Sequence, residues 1–262
     1  MEVLEKDWLD ILKEQFEHPA IVLWRAVELR HIDSALREYK LDAPILDLGC
    51  AEGKIADVLF KSDELIGLDN SWELLSQNRK TNIYKALILA DACRLPYKNG
   101  VFGSVFSNCV IEHIPNLDMV LSEVSRVLKA KGLFLFTVPS HKFADFLFFA
   151  VIFDNLGLRS IASWYKIKRN KMLSHFHCYD HNRWRDILKS KGLDLIDYQY
   201  YMNKKTTAIW DFFAGGVFLL RKLKLKLDKN LFITRILKAS YASNLADNGI
   251  GGGLLIVAQK QG

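Results

Sequence analysis

The chain has 262 residues, half of them apolar and a quarter charged, with a formal net charge of +6. That balance builds a buried core and excludes a disordered, collagen-like or disulfide-scaffold protein. Cys50, Cys93, Cys109 and Cys178 share no metal-ligand spacing, so they read as reduced thiols rather than a zinc site or a disulfide framework. The acidic, amphipathic start lacks the features of a signal peptide, and no run reaches the roughly 18 apolar residues of a membrane span. A cytoplasmic location is expected.

In chain order, residues 7–40 carry apolar positions at helical spacing, interrupted at Pro19, and predict a helical N-terminal cap over 1–43. From Pro44 short apolar runs alternate with helical stretches. Strands are expected at 45–49, 65–69, 86–90, 101–107 and 132–138, and helices at 53–61, 72–79 and 117–128. Residues 139–178 break the rhythm. They are dense in phenylalanine between 143 and 153, then carry Trp164-Tyr165 and a basic cluster at Lys166, Lys168, Arg169 and Lys171.

The alternation resumes with a helix capped by Asp180 and stopped by Gly192, then a strand at 193–201. A second irregular apolar and basic stretch follows to about 245, and a last strand lies at 253–258. These elements predict an α/β fold over 44–262. It is a Rossmann-like, seven-stranded, mostly parallel sheet with helices on both faces, interrupted by insertions at about 141–178 and 206–248.

The chemistry concentrates in Asp47-Leu48-Gly49-Cys50-Ala51-Glu52-Gly53, which ends a strand and opens a helix. Small residues at 49, 51 and 53 let backbone pass close to a ligand, and free N–H groups at a helix start favour electronegative atoms. A dinucleotide fingerprint wants Gly-x-Gly-x-x-Gly, whereas here the small residues alternate after a strand-end acid. That spacing disfavours a nicotinamide-dependent oxidoreductase. The next strand ends Gly67-Leu68-Asp69, about 20 positions on, followed by Asn70; a carboxylate there is a bidentate acceptor that pairs with two adjacent donors. Asp91-Ala92-Cys93-Arg94-Leu95-Pro96-Tyr97 follows the third strand. Phe102-Gly103-Ser104-Val105 leads into Ser107-Asn108-Cys109-Val110-Ile111-Glu112-His113 at the end of the fourth.

These ordered segments over about 44–140 resemble the class I S-adenosylmethionine (SAM)-dependent methyltransferases, in particular their small-molecule, type 11 branch. The resemblance implies that Asp47, Gly49, Cys50, Ala51 and Gly53 form the SAM loop. It implies that Asp69, with Asn70, holds the ribose, that Asp91 and Ala92 hold the adenine, and that Asn108 lies at the site. Two positions depart from the family pattern: Ala51 stands for the commoner glycine and Gly103 for the usual Asp.

SAM carries its own activated methyl, so the protein mainly aligns the acceptor and, for a hydroxyl or amine, supplies a base. His113 is the first candidate, and His175 and His177 the next. No Asp/Glu/His arrangement reads as a metal site. S-adenosylhomocysteine (SAH) is the expected product, and the acceptor a small molecule, a glycan or a lipid-linked compound, with oxygen favoured. The insertions suggest a lid packed on the sheet, or peripheral contact with an anionic membrane through apolar stretches abutting basic residues. The alternation Leu223-Lys224-Leu225-Lys226-Leu227 is strand-like and argues against a long amphipathic helix there. No nucleic-acid-binding module accompanies the basic residues, so none is expected as partner. The alternative to an enzyme is a non-catalytic SAM-fold binding or assembly protein.

Overall fold

The computed structural model describes residues 7–61, 64–78, 82–222, 232–244 and 249–262. The run 223–227 lies outside them. The chain forms two compact units. One comprises Met1–Ser34, Ser140–Leu173 and Tyr200–Gly253, and the other Ala35–Pro139, Ser174–Gln199 and Leu254–Gly262.

The second unit is built on a seven-stranded sheet. Its strands are β1 (Ile45–Leu48), β2 (Leu65–Asp69), β3 (Ala86–Leu89), β4 (Phe102–Asn108), β5 (Leu128–Pro139), β6 (Leu193–Tyr201) and β7 (Gly253–Lys260), the last two running past the unit boundary. The spatial order is β3-β2-β1-β4-β5-β7-β6, and β1 to β5 pair in parallel. β7 runs antiparallel to β6: the Gln261 N–H meets the Gly192 carbonyl at one end, and the Gly252 N–H meets the Met202 carbonyl at the other. The sheet is therefore mixed.

β1 is buried at every position, as a central parallel strand covered on both faces must be. The strand order reverses between β1 and β4, and the crevice beyond their C-terminal ends is where open α/β sheets take ligands.

The helices α3 (Lys54–Leu59), α4 (Trp72–Asn78), α5 (Leu117–Val127) and α8 (His181–Lys189) lie within the second unit. α5 turns Leu117, Val120, Leu121, Val124 and Val127 inward at helical spacing, and Asn116 caps its start. Asp180 caps α8 by accepting the Arg183 N–H at 2.8 Å, and Gly192 takes φ +71° beyond the end of α8.

β5 starts at Leu128 rather than at the expected Gly132. Leu128 pairs with Phe102 across an irregularity between Phe102 and Ser104. Gly103 sits in that irregularity. A Cβ there would lie 2.5 Å from the Asp42 carbonyl oxygen, which accounts for glycine at this position.

The first unit is helical, with α1 (Trp8–Gln15), α2 (Pro19–Glu38, held here up to Ser34), α6 (Phe148–Asn155), α7 (Arg159–Met172), α9 (Lys204–Lys222) and α10 (Phe232–Ser243). The stretches expected to be irregular are thus largely helix. Trp24 packs edge-on to Phe143 at 5.7 Å and tilted against Trp210 at 5.3 Å. Asp211 on α9 is buried and ties three helices together. It accepts the Phe148 N–H of α6 at 3.1 Å and the Tyr165 hydroxyl of α7 at 2.7 Å, and pairs with Arg169 at 2.8 Å. Among the described residues no helix is long and apolar enough to cross a membrane.

Candidate active site

The site residues singled out in the sequence lie within the second unit: those at 47–53, 69–70, 91–92 and 108–113 at or just beyond the C-terminal ends of β1, β2, β3 and β4, and His175 and His177 on the strip before α8. The loop after β1 is left-handed at alternate positions: Gly49 has φ +80°, Ala51 +46° and Gly53 +78°. A Cβ on Gly49 would strike Val110 at 2.4 Å, and one on Gly53 would strike Asn78 Oδ1 at 2.4 Å. Both glycines are therefore dictated by backbone angle and by space. Ala51 also holds a positive φ, an angle glycine adopts without strain. Two hydrogen bonds fix it there: its N–H donates to Asp69 Oδ2 at 2.9 Å, and its carbonyl accepts from Asn78 Nδ2 at 2.9 Å.

Asp69 is 8% exposed at the end of β2. Its Oδ1 accepts the Ser71 N–H and its Oδ2 the Ala51 N–H, each at 2.9 Å. A carboxylate accepts about four hydrogen bonds, so one acceptor direction per oxygen remains for a diol. The loop and Asp69 thus brace each other, and the residues fit the ribose end of SAM. Asn70 is exposed beside it.

Asp47 lies buried among these groups and accepts the Tyr84 hydroxyl. Burial pushes its carboxyl up to about 7; the Tyr84 bond works against this, and the nearby Asp69 charge adds to it. Burial likewise raises the Cys50 thiol, which is inert as a nucleophile.

Asp91 is exposed and folds back so that Oδ1 accepts the Cys93 N–H at 2.8 Å, while Ala92 beside it is buried. The following turn is held from α5. Glu123 accepts the Leu95 N–H at 2.7 Å, and Arg126 donates to the Tyr97 and Leu95 carbonyls at 2.6 and 3.1 Å. The Arg126 guanidinium holds the Glu123 carboxyl below its ordinary value. At the end of β4, Ser107 donates to the Leu48 carbonyl at 3.0 Å, and Asn108 Nδ2 donates to Thr137 Oγ1 at 2.7 Å.

Two segments meet beyond β4. A 3₁₀ turn at Ile111–His113 and the strip 174–178 are joined by the Phe176 N–H to the Glu112 carbonyl at 2.8 Å. His177 is buried with its Nε2 2.9 Å from the Ile114 carbonyl and its Nδ1 3.3 Å from the Tyr179 hydroxyl. It braces the junction. His113 is exposed; its Nδ1 lies 3.2 Å from the Ser174 carbonyl and its Nε2 3.6 Å from Glu112 Oε1. The His113 and His175 rings are tilted 5.3 Å apart.

Sequence reasoning did not reach Asn78, Tyr84, Thr137 or Glu112. The first three act through folding contacts that no local pattern announces. Glu112 was visible beside His113, but only the fold brings His175 to them.

Residues 46–136 match the family described as "Methyltransferase domain". Among curated relatives, a malonyl-[acyl-carrier protein] O-methyltransferase of Legionella pneumophila is 36% identical over 99 residues, covering 36% of this chain and 35% of that protein. An uncharacterised protein of Methanocaldococcus jannaschii is 32% identical over 138 residues, covering 52% of this chain and 51% of that protein. The chain thus spans between a third and about half the length of these relatives. Among solved structures, a complex of the Haloferax volcanii Trm112 methyltransferase activator with a methyltransferase gives a TM-score of 0.57 at 16% identity, over 98% of this chain and 99% of that one. That likeness is one of fold. Residues 46–136 are a methyltransferase domain of the class I SAM-dependent type, set on the Rossmann-like sheet that its fold requires.

Proposed function

We propose that the protein transfers the methyl group of SAM to an oxygen atom of a small-molecule acceptor. The observation that carries this reading is the mutual bracing of Asp69 and the left-handed loop at 49–53, which leaves one face of the carboxylate for a ribose diol. In this reading Asp69 with Asn70 holds the ribose, Asp91 and Ala92 flank the adenine, and Asp47, Cys50 and Asn108 support the walls. SAM supplies a methyl carbon already activated by its sulfonium, so the chain's tasks are to bind, to align and to exclude water.

His113 is the favoured base. A carbonyl only accepts, so the hydrogen in the Ser174 contact sits on Nδ1, and the neutral ring keeps its lone pair on Nε2. His175 stands beside it, and His177 positions both.

Calorimetry on cofactor-stripped protein tests the reading. One equivalent of SAH is expected to bind, and Asp69→Ala to weaken binding by roughly 100-fold, the loss of two charge-assisted hydrogen bonds at about 1.5 kcal/mol each. Absence of SAH binding by the intact chain would overturn the reading. SAM turnover with any acceptor would dispose of the non-catalytic alternative.

A lipid-linked acceptor, reached from an anionic membrane surface, is supported by one feature of the helical unit. α7 and the turn before it expose Leu156, Leu158, Ile161, Trp164, Ile167 and Met172, interleaved with exposed Arg159, Lys168 and Lys171.

A further inference from the structure

We infer that Glu112, His113 and His175 form a binding site for one divalent transition-metal ion of the zinc class. One ligand atom from each lies within 4.8 Å of the others. A metal at about 2.0–2.2 Å from each donor holds its ligands some 3–4 Å apart, the spacing that His113 Nε2 and Glu112 Oε1 already have at 3.6 Å.

The donor set is two imidazoles and a carboxylate, which suits Zn²⁺ and its neighbours and leaves further positions open. Glu112 is 1% exposed, so its carboxylate is a fixed wall of the cluster. The Ser174 carbonyl fixes the Nδ1–H tautomer of His113 and turns Nε2 toward Glu112, 3.6 Å away. A backbone carbonyl orienting a ligand histidine is the outer-shell arrangement metal sites use. The Phe176 to Glu112 backbone bond and the His177 to Ile114 contact hold the two segments in register, so the three donors do not depend on a mobile loop.

The role of the ion rests on the methyltransferase reading, in which it would replace His113 as the activator of the hydroxyl because the Nε2 lone pair is then a ligand; its binding does not rest on that reading. Bound to an acceptor hydroxyl, the ion would lower the pKa of that group, whose proton leaves to water or to a neighbouring base. The oxygen lone pair then forms the bond to the methyl carbon as the carbon–sulfur bond breaks and its electrons stay on sulfur, giving SAH.

The test is calorimetric titration of chelator-treated full chain with ZnCl₂, without SAM, together with visible absorption of the Co²⁺ form. One saturable equivalent is expected. His113→Asn, at an exposed position, and His175→Asn should each weaken binding by more than the roughly 10- to 100-fold that loss of an orienting neighbour causes. Cys178→Ser should leave affinity unchanged, and the Co²⁺ spectrum should lack thiolate charge transfer. Circular dichroism checks that the variants fold. Absence of saturable binding, full affinity in either histidine variant, or loss of binding in Cys178→Ser would each overturn the assignment. Because SAM is absent from the assay, failure of the methyltransferase reading would not register in it.

Discussion

Asp47 occupies a costly position for a carboxyl. It is buried, it lies close enough to Asp69 to feel its charge, and it accepts the Tyr84 hydroxyl. With a carboxyl near 3.9 when unfolded and about 7 when folded, the native state keeps a proton that the unfolded chain has released. Stability from this group is therefore full below pH 4 and is lost as pH rises through 7, by on the order of 4 kcal/mol at most. Asp47→Asn keeps an acceptor for Tyr84 and removes the titration. Denaturant unfolding from pH 4 to 8 should show the wild-type midpoint falling and that of the variant nearly flat. Equal slopes would show that Asp47 ionises freely.

Ala51 illustrates a related economy, since a non-glycine residue at φ +46° carries about 1–2 kcal/mol of strain. Its N–H to Asp69 and its carbonyl to Asn78 offset that strain. At this scale the acids that end strands were legible, because strand-end carboxylates follow from pattern and spacing. Asn78, Tyr84 and Glu112 were not, because each acquires its meaning from a partner elsewhere in the chain.

At the scale of elements, the parallel strands and α5 followed from periodicity: β1 is a continuous apolar run and α5 has a single apolar stripe. The helical cap at α1 and α2 was legible in the spacing, whereas α6, α7, α9 and α10 were misread as irregular for a physical reason. α6, Phe148–Asn155, is apolar around most of its circumference, which erases the 3.6-residue signal. α9 carries the buried acid Asp211 in the middle of an apolar stretch, where Arg169, Tyr165 and the Phe148 N–H make it tolerable.

The join between α5 and β5 was likewise hidden, because the pairing of Leu128 with Phe102 depends on the irregularity at Gly103. That irregularity yields a prediction against the family pattern. Restoring the usual Asp, as Gly103→Asp, places a Cβ within 2.5 Å of the Asp42 carbonyl and should destabilise by about 1–3 kcal/mol. A chemical-denaturation midpoint at or above that of the wild type would show that the 42–43 backbone yields without cost.

At the scale of the molecule, the net charge of +6 and the apolar face of α7 belong to one question, that of where the acceptor is met. Trp164 is 57% exposed and Ile167 67%, and Lys168 lies over the Trp164 ring at 4.7 Å. Burying a large apolar side chain contributes about 1.5–3 kcal/mol, and each Lys or Arg near an anionic leaflet about 1 kcal/mol. In the proposed membrane reading, two inserted side chains with Arg159, Lys168 and Lys171 would together supply reversible adsorption.

The full chain should sediment with phosphatidylglycerol vesicles and far less with phosphatidylcholine ones. Trp164→Ser with Ile167→Ser should reduce binding by more than tenfold, since about 1.4 kcal/mol is tenfold and two such burials exceed it. Added salt should weaken binding through the lysines, whose attraction is screened beyond about 8 Å at physiological ionic strength. The substitutions lie on exposed positions of α7, so secondary structure should be unchanged. A chain that ignores both vesicle types, or that hides Trp164 in a lipid-independent dimer on sizing, would remove the membrane from this reading and leave a freely diffusing acceptor.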